Sequence, residues 1–175
     1  MSLKIDDLKA RLSGGGARAN LFEATINFPG YAGGDSRTTS FLCKAAQLPS
    51  SVVGQIDVPF RGRQLKIAGD RTFENWTVTI INEDGFQIRN AFERWMNGIN
   101  EHRNGTGILN PADYQSDLII NQLNRQEEVI KSIVLKGAFP VNVAAIDLSY
   151  DTTDTVEEYT VEFAYQYWEA AGVTS

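Results

Sequence analysis

The chain has 175 residues and a formal charge of −6, with 42% apolar and 22% charged residues. That balance fits one globular domain and gives no sign of chain-wide disorder. It excludes a membrane-spanning helix, since no apolar run approaches the ~18 residues a bilayer needs, and Cys43, the sole cysteine, excludes an internal disulfide.

Met-Ser-Leu-Lys-Ile-Asp-Asp at the start has early acids and no apolar core. It predicts no secretory signal, and hence folding in the cytoplasm where the chain is made. Ile5, Leu8 and Leu12 are spaced for one short amphipathic helix. Ser13-Gly14-Gly15-Gly16 ends it and forms a hinge. Residues 1–19 are therefore expected to be an N-terminal helix or arm with its hinge, and residues 20–175 the main domain.

Strand patterns follow. Phe22, Ala24, Ile26 and Phe28 alternate with Glu23, Thr25 and Asn27. A Gly-rich loop spans Pro29–Asp35. Further strands are predicted at Thr39–Ala46, Val52–Phe60 and Arg63–Ala68. Gly69-Asp70-Arg71-Thr72 has the composition of a turn. Trp76, Val78 and Ile80 alternate with Thr77 and Thr79 in a half-buried strand.

One longer helix comes next. Asp84 with Gln87 has the spacing of a capping box. Ile88, Phe92, Trp95 and Ile99 form an apolar stripe, and Gly98 marks the end. His102–Ser116 reads as a long loop. Strands resume at Asp117–Asn124 and Val129–Gly137. Ile146, Leu148 and Tyr150 alternate with Asp147 and Ser149. Tyr159, Val161, Phe163, Tyr165 and Tyr167 mark one face of a last strand. Many strands with one inserted helix predict a mainly β fold, an antiparallel barrel or sandwich with one flanking helix. Trp76, Phe92, Trp95 and Phe163 are its expected core anchors.

The charge is unevenly spread. Gly137–Ser175 holds no Lys or Arg but seven acids, while the remainder has 16 basic and 15 acidic residues. An acidic chain is a poor candidate for gripping nucleic acid, because phosphate binding is mostly Lys/Arg neutralisation. Arg61, Arg63, Lys66 and Arg71, set against Asp57 and Asp70, give only a local excess of two.

No enzymatic constellation emerges. His102 is the sole histidine, which excludes multi-histidine metal sites, and it sits in a Gly/Asn-rich stretch with no nucleophile-elbow pattern. Cys43 lies in an apolar strand pattern with no histidine neighbour and reads as a packing thiol. Ser13–Arg18 lacks the Gly-Lys-Ser/Thr end of a phosphate loop. Glu127-Glu128 and Glu157-Glu158 are adjacent in sequence, so on a strand they point to opposite faces and cannot converge. No metal and no cofactor are expected.

Three stretches carry a family likeness: "CKAAQLPSS" (Cys43–Ser51), "VPFRGRQLKIAGDRTFENWTVTIINED" (Val58–Asp84) with the helix ending "FERW" (Phe92–Trp95), and "KGAFPVNVAAIDLSYDTTDTVEEYTVEFAYQYWE" (Lys136–Glu169). Together they resemble the tail tube proteins of T4-like contractile-tailed bacteriophages, over roughly residues 20–169. The resemblance implies a β-barrel-like virion protein, made in the host bacterium. Six copies would close into a ring, and stacked rings would form a tube through which phage DNA passes. Its implied partners are further copies of itself, the tail sheath, the baseplate and the protein that measures tail length. Tubes of phage-derived bacteriocins and type VI secretion systems, and baseplate proteins that start the tube, are alternative contexts.

Residue expectations follow. Gly69 is expected to allow a tight turn. Asp70 and Arg71 either fix that turn within the subunit or reach a neighbour. Arg61 and Arg63 are expected to meet the acidic C-terminal segment of an adjacent copy and set register. Leu8 and Leu12 either pack on the subunit's own barrel or dock on the next one. The lumen is expected to be acidic or neutral, without base contacts.

Overall fold

The computed structural model describes residues 4–12 and 14–171. Ser13, within the expected hinge, lies outside the described residues. Thirteen elements follow one another: α1 (Ile5–Arg11), β1 (Phe22–Ile26), α2 (Ser36–Leu42), β2 (Cys43–Ala46), β3 (Val52–Phe60), β4 (Arg63–Thr72), β5 (Trp76–Ile81), α3 (Gln87–Ile99), α4 (Pro111–Tyr114), β6 (Ser116–Leu123), β7 (Val129–Val143), β8 (Glu158–Ala164) and β9 (Tyr167–Ala170).

Seven strands form one folded-over sheet in the order β1-β6-β7-β8-β5-β2, with β9 added on β7. All pairings are antiparallel. The long strand β7 makes the fold. Its first half pairs with β6 on one side and with β9 on the other, and its second half, from Phe139, pairs with β8. It therefore passes from one layer to the other near Gly137. β1-β6-β7-β9 form one layer and β2-β5-β8-β7 the second. β1 and β2 are edges and do not pair with each other, so the body is a sandwich and not a closed barrel.

The core sits between the layers. Ala24, Ile26, Leu118, Ile120, Ile133 and Leu135 fill it from the first, and Val78, Ile80, Val161 and Phe163 from the second. Strand periodicity puts these residues inward and their neighbours outward. Helix α3 buries Ile88, Ala91, Phe92 and Trp95. The rings of Phe92 and Trp95 lie 5.9 and 6.0 Å from Phe163, and Phe28 lies 5.0 Å from Phe92. Trp95 Nε1 donates to the Tyr114 carbonyl at 2.7 Å, so the largest core ring also satisfies its polar atom.

Several local expectations are corrected. Thr39–Ala46 is not one strand. Asp35 caps helix α2 by accepting from the Arg37 and Thr38 amides, and only Cys43–Ala46 is extended. Asp84 does not cap α3. The helix starts after Phe86, which has φ 52°, and the Glu83 carboxylate accepts from the Ile88 amide at 3.2 Å. The stretch His102–Ser116 contains the one-turn helix α4, capped by Asn110. Ile146–Tyr150 is not a strand, because no strand among the described residues pairs with it. The stripe Tyr159–Tyr167 is two strands. Gln166 N–H donates to the Lys136 carbonyl at 2.9 Å where the chain crosses between layers, and Tyr167 falls on the outside of β9.

Candidate functional site

Among the described residues β3 and β4 pair only with each other, and they stand off the sandwich as a two-stranded ribbon. Every residue of β3 is exposed, and so is every residue of β4 except the half-buried Gly69. The register defines the two faces, because residues directly opposite share a side. Phe60↔Arg63, Val58↔Leu65 and Ile56↔Ile67 form one face; Pro59↔Gln64, Asp57↔Lys66 and Gln55↔Ala68 form the other. The ribbon is thus amphipathic. Its apolar side lies open to solvent, with Phe60 66% and Leu65 61% exposed.

The turn explains why the chain reverses where it does. Arg61 and Gly62 have φ of 47° and 80°. Both central residues are left-handed, as a two-residue hairpin turn matched to strand twist requires. The Arg61 guanidinium lies 5.3 Å over the Phe60 ring, placing a cation at the tip of the apolar side.

The expected turn at Gly69 is not there. Gly69, Asp70 and Arg71 lie inside β4. The register shifts between Val53 and Gln55, so Gly54 faces a bulge at Gly69 and Asp70. A Cβ on Gly69 would stand 3.2 Å from the Gly54 carbonyl carbon. Glycine is needed there for close backbone approach, one of the uses of glycine within a strand.

The ribbon's root is fixed. Trp76 Nε1 donates to the Gln47 carbonyl at 2.6 Å, and Trp168 Nε1 to the Ser50 carbonyl at 3.2 Å. The Phe73 and Tyr165 rings lie 5.9 Å apart beneath the outgoing leg. The Asn75 side-chain amide donates to Glu162 of β8 at 2.7 Å, so the incoming and outgoing legs are tied to β5, β8 and β9, while the distal part projects freely.

Asp70 and Arg71 are exposed, and among the described residues neither side chain has a hydrogen-bond or ion-pair partner. Arg61 and Arg63 sit at the ribbon tip. Leu8 lies on α1, whose residues are all exposed, and Leu12 is the exposed C-terminal cap of that helix; both are well apart in sequence from the ribbon. Trp76, Phe92, Trp95 and Phe163 are buried. Sequence reasoning found the two strands but not that their apolar side is uncovered. Alternation alone gives two faces, not which of them meets the core.

The outward face of the β1-β6-β7-β9 layer is the second feature. It carries Glu23, Asp117, Lys136 and Glu169, each one position away from a buried residue. Lys136 Nζ donates to Asp117 at 2.8 Å, and that hydrogen bond holds its ammonium above the usual lysine range. The charged set is net acidic. Among the described residues no group of three or more His, Cys, Asp or Glu side chains is placed to hold a metal ion.

The profile of the family described as phage tail tube protein matches residues 17–171. The tail tube protein gp19 of Enterobacteria phage T4 is 35% identical over 167 residues, which span 94% of this chain and 99% of gp19. The tail tube protein of Serratia phage KSP90 is 29% identical over 165 residues, 92% of this chain and 93% of that protein. Among solved structures, a chain of the PVC extracellular contractile injection system, in its extended sheath–tube complex, superposes with a TM-score of 0.62. It has 13% identity over 98% of this chain and 100% of its own length. A chain of the anti-feeding prophage cap gives 0.63 at 17% identity, over 89% and 90% respectively. These two show a common fold. The family profile and the T4 relative cover nearly the whole chain, and on them the chain belongs to the phage tail tube protein family.

Proposed function

We propose that the protein is the structural subunit of a contractile tail's inner tube: six copies close into a ring, and rings stack within the sheath as a conduit for DNA. One observation carries this reading. An isolated two-stranded ribbon is at best marginally stable in water. This one nevertheless exposes Ile56, Val58, Phe60, Leu65 and Ile67 on a single side. Such a patch favours a protein partner, and in a tube the partner is another copy.

The sandwich supplies the ring contact. β1 and β9 are the two free margins of one layer. Pairing β1 of one copy with β9 of the next satisfies unpaired backbone groups that would otherwise invite aggregation. The two margins differ, so the contact is head-to-tail and closes only at a fixed rotation. A six-fold count agrees with the six-fold symmetrised anti-feeding prophage baseplate, a chain of which shares the fold. The outward face of this layer then lines the lumen. Its Glu23, Asp117 and Glu169, against Lys136 alone, repel phosphates within about 8–10 Å, so DNA slides past without being held. Sheath, baseplate and length-measuring protein are the remaining partners, and the particle is assembled in the host cytoplasm.

Electron microscopy of concentrated full-length protein tests the reading. Stacked tubes support it, and single rings support the variant in which the protein starts a tube at the baseplate. A monodisperse monomer at all salt concentrations, or tight binding to double-stranded DNA at physiological salt, overturns it.

A further inference from the structure

Resting on the stacked-tube reading, we propose that the apolar side of the β3–β4 ribbon of one copy is covered by residues 144–157 of a second copy. This loop joins β7 to β8 and has no helix or strand of its own. Loops of this length without secondary structure are uncommon in compact domains and are usually functional or disordered. Leu148 is 81% exposed, and Tyr150 and Val156 are also open to solvent. The ribbon and the loop therefore do not cover each other within one subunit.

Their chemistry is complementary. The ribbon's apolar side ends in cations: Arg63 lies opposite Phe60, and Arg61 stacks over that ring. The loop interleaves Leu148 and Tyr150 with Asp147, Asp151 and Asp154 and has no Lys or Arg. Among the described residues those three carboxylates have no ion-pair partner, and neither Arg61 nor Arg63 has one. Lys66 faces away, opposite Asp57 on the polar side. Burying Phe60, Val58 and Leu65 against Leu148 and Tyr150 supplies affinity. Placing Asp151 and Asp154 at Arg61 and Arg63 sets register and orientation.

The anchors suit this role. The loop is pinned at both ends. The Arg89 guanidinium donates to the Ala144 carbonyl at 3.0 Å, and the Asn82 side-chain amide donates to Glu157 at 2.8 Å. The ribbon is pinned at its root by Trp76 and Trp168. Each partner presents a fixed base and a free middle.

The test uses two full-length variants, Arg61→Glu with Arg63→Glu, and Asp151→Lys with Asp154→Lys. All four positions are exposed, so far-ultraviolet circular dichroism and thermal melting should match the parent. At 50 mM salt each variant alone should lose at least tenfold in pelletable tubes. Mixed one to one, they should regain tubes, because every ribbon of one variant then finds an opposite charge on a loop of the other. Tubes from each variant at the parent yield, or folded variants that stay apart on mixing, overturn this inference and leave the tube reading standing. A parent protein that forms neither rings nor tubes overturns both.

Discussion

The indole N–H of Trp76 donates to the Gln47 carbonyl at 2.6 Å, across 29 residues of chain. This bond ties the segment entering the ribbon to the first residue of β5, which leaves it. Trp76 is 2% exposed and its ring lies 5.7 Å from Phe163. One side chain thus serves the sandwich core and sets where the ribbon begins. Trp76→Phe keeps most of the ring packing but loses the hydrogen bond to the Gln47 carbonyl. The expected cost is ~0.5–1.5 kcal/mol, read by urea unfolding. Hydrogen exchange of ribbon amides should quicken more than that of α3 amides. Equal acceleration in both would mean that the bond does not anchor the ribbon.

The ribbon turn is not optimised for its own stability. Arg61 holds φ 47° with a side chain that avoids this region. Asn-Gly is the favoured pair for such a turn. Arg61→Asn should slow exchange of the Val58 and Leu65 amides and stabilise the ribbon by up to ~1 kcal/mol, because asparagine tolerates the left-handed region better than arginine. The same change removes a tip cation. If the tip meets an acidic loop, the variant combines a stiffer ribbon with fewer tubes at low salt. A stiffer ribbon with unchanged tube yield would mean that the tip cation has no part in assembly.

The elements that sequence alone revealed are those whose periodicity matches their burial. Trp76-Val78-Ile80 and Tyr159-Val161-Phe163 alternate and are buried alternately. Ile88, Phe92 and Trp95 recur at helical spacing and are buried. The misses have a common cause. Ile146, Leu148 and Tyr150 alternate just as well, but among the described residues no strand pairs with them. Thr38 and Thr39 favour strand, yet Asp35 accepting from the Arg37 and Thr38 amides outweighs that preference and starts a helix. The Tyr159–Tyr167 stripe keeps its period through Gln166, where the chain changes layer, and only tertiary packing shows the break. For the candidate site, the charge split and the two strands were readable. The open apolar side was not, since Ile56 and Val58 look the same in sequence whether covered or bare.

Tyr159 offers a prediction about the core. Its hydroxyl is buried and has no hydrogen-bond partner among the described residues. Burial pushes the phenol far above its usual range, and the Arg89 guanidinium, 5.1 Å over the ring, opposes this only in part. An unpaired buried hydroxyl costs free energy that its removal recovers. Tyr159→Phe should therefore leave the fold intact and raise stability by up to ~1 kcal/mol, seen as a higher melting temperature. A loss of more than that would show that the hydroxyl is satisfied in solution.

Cys43 reports on the edge of the second layer. The thiol donates to the Ala45 carbonyl across a bulge, and burial pushes its pKa up to about 11. The thiolate is the reactive form, so at pH 8 only ~0.1% of the folded protein carries it at that pKa. Ellman's reagent should be nearly inert toward native protein and react fully in urea. The folded state keeps its proton to higher pH than the unfolded state, so this contribution is whole below about pH 9, the ordinary thiol range, and declines toward pH 11. The melting temperature of the parent should fall more steeply across that window than that of Cys43→Ala, even though the alanine variant is less stable at pH 7 from lost packing. Parallel pH curves for the two proteins would mean that the thiol titrates normally and that β2 opens readily. Rapid reaction of native protein at pH 8 would lead to the same conclusion by a second route.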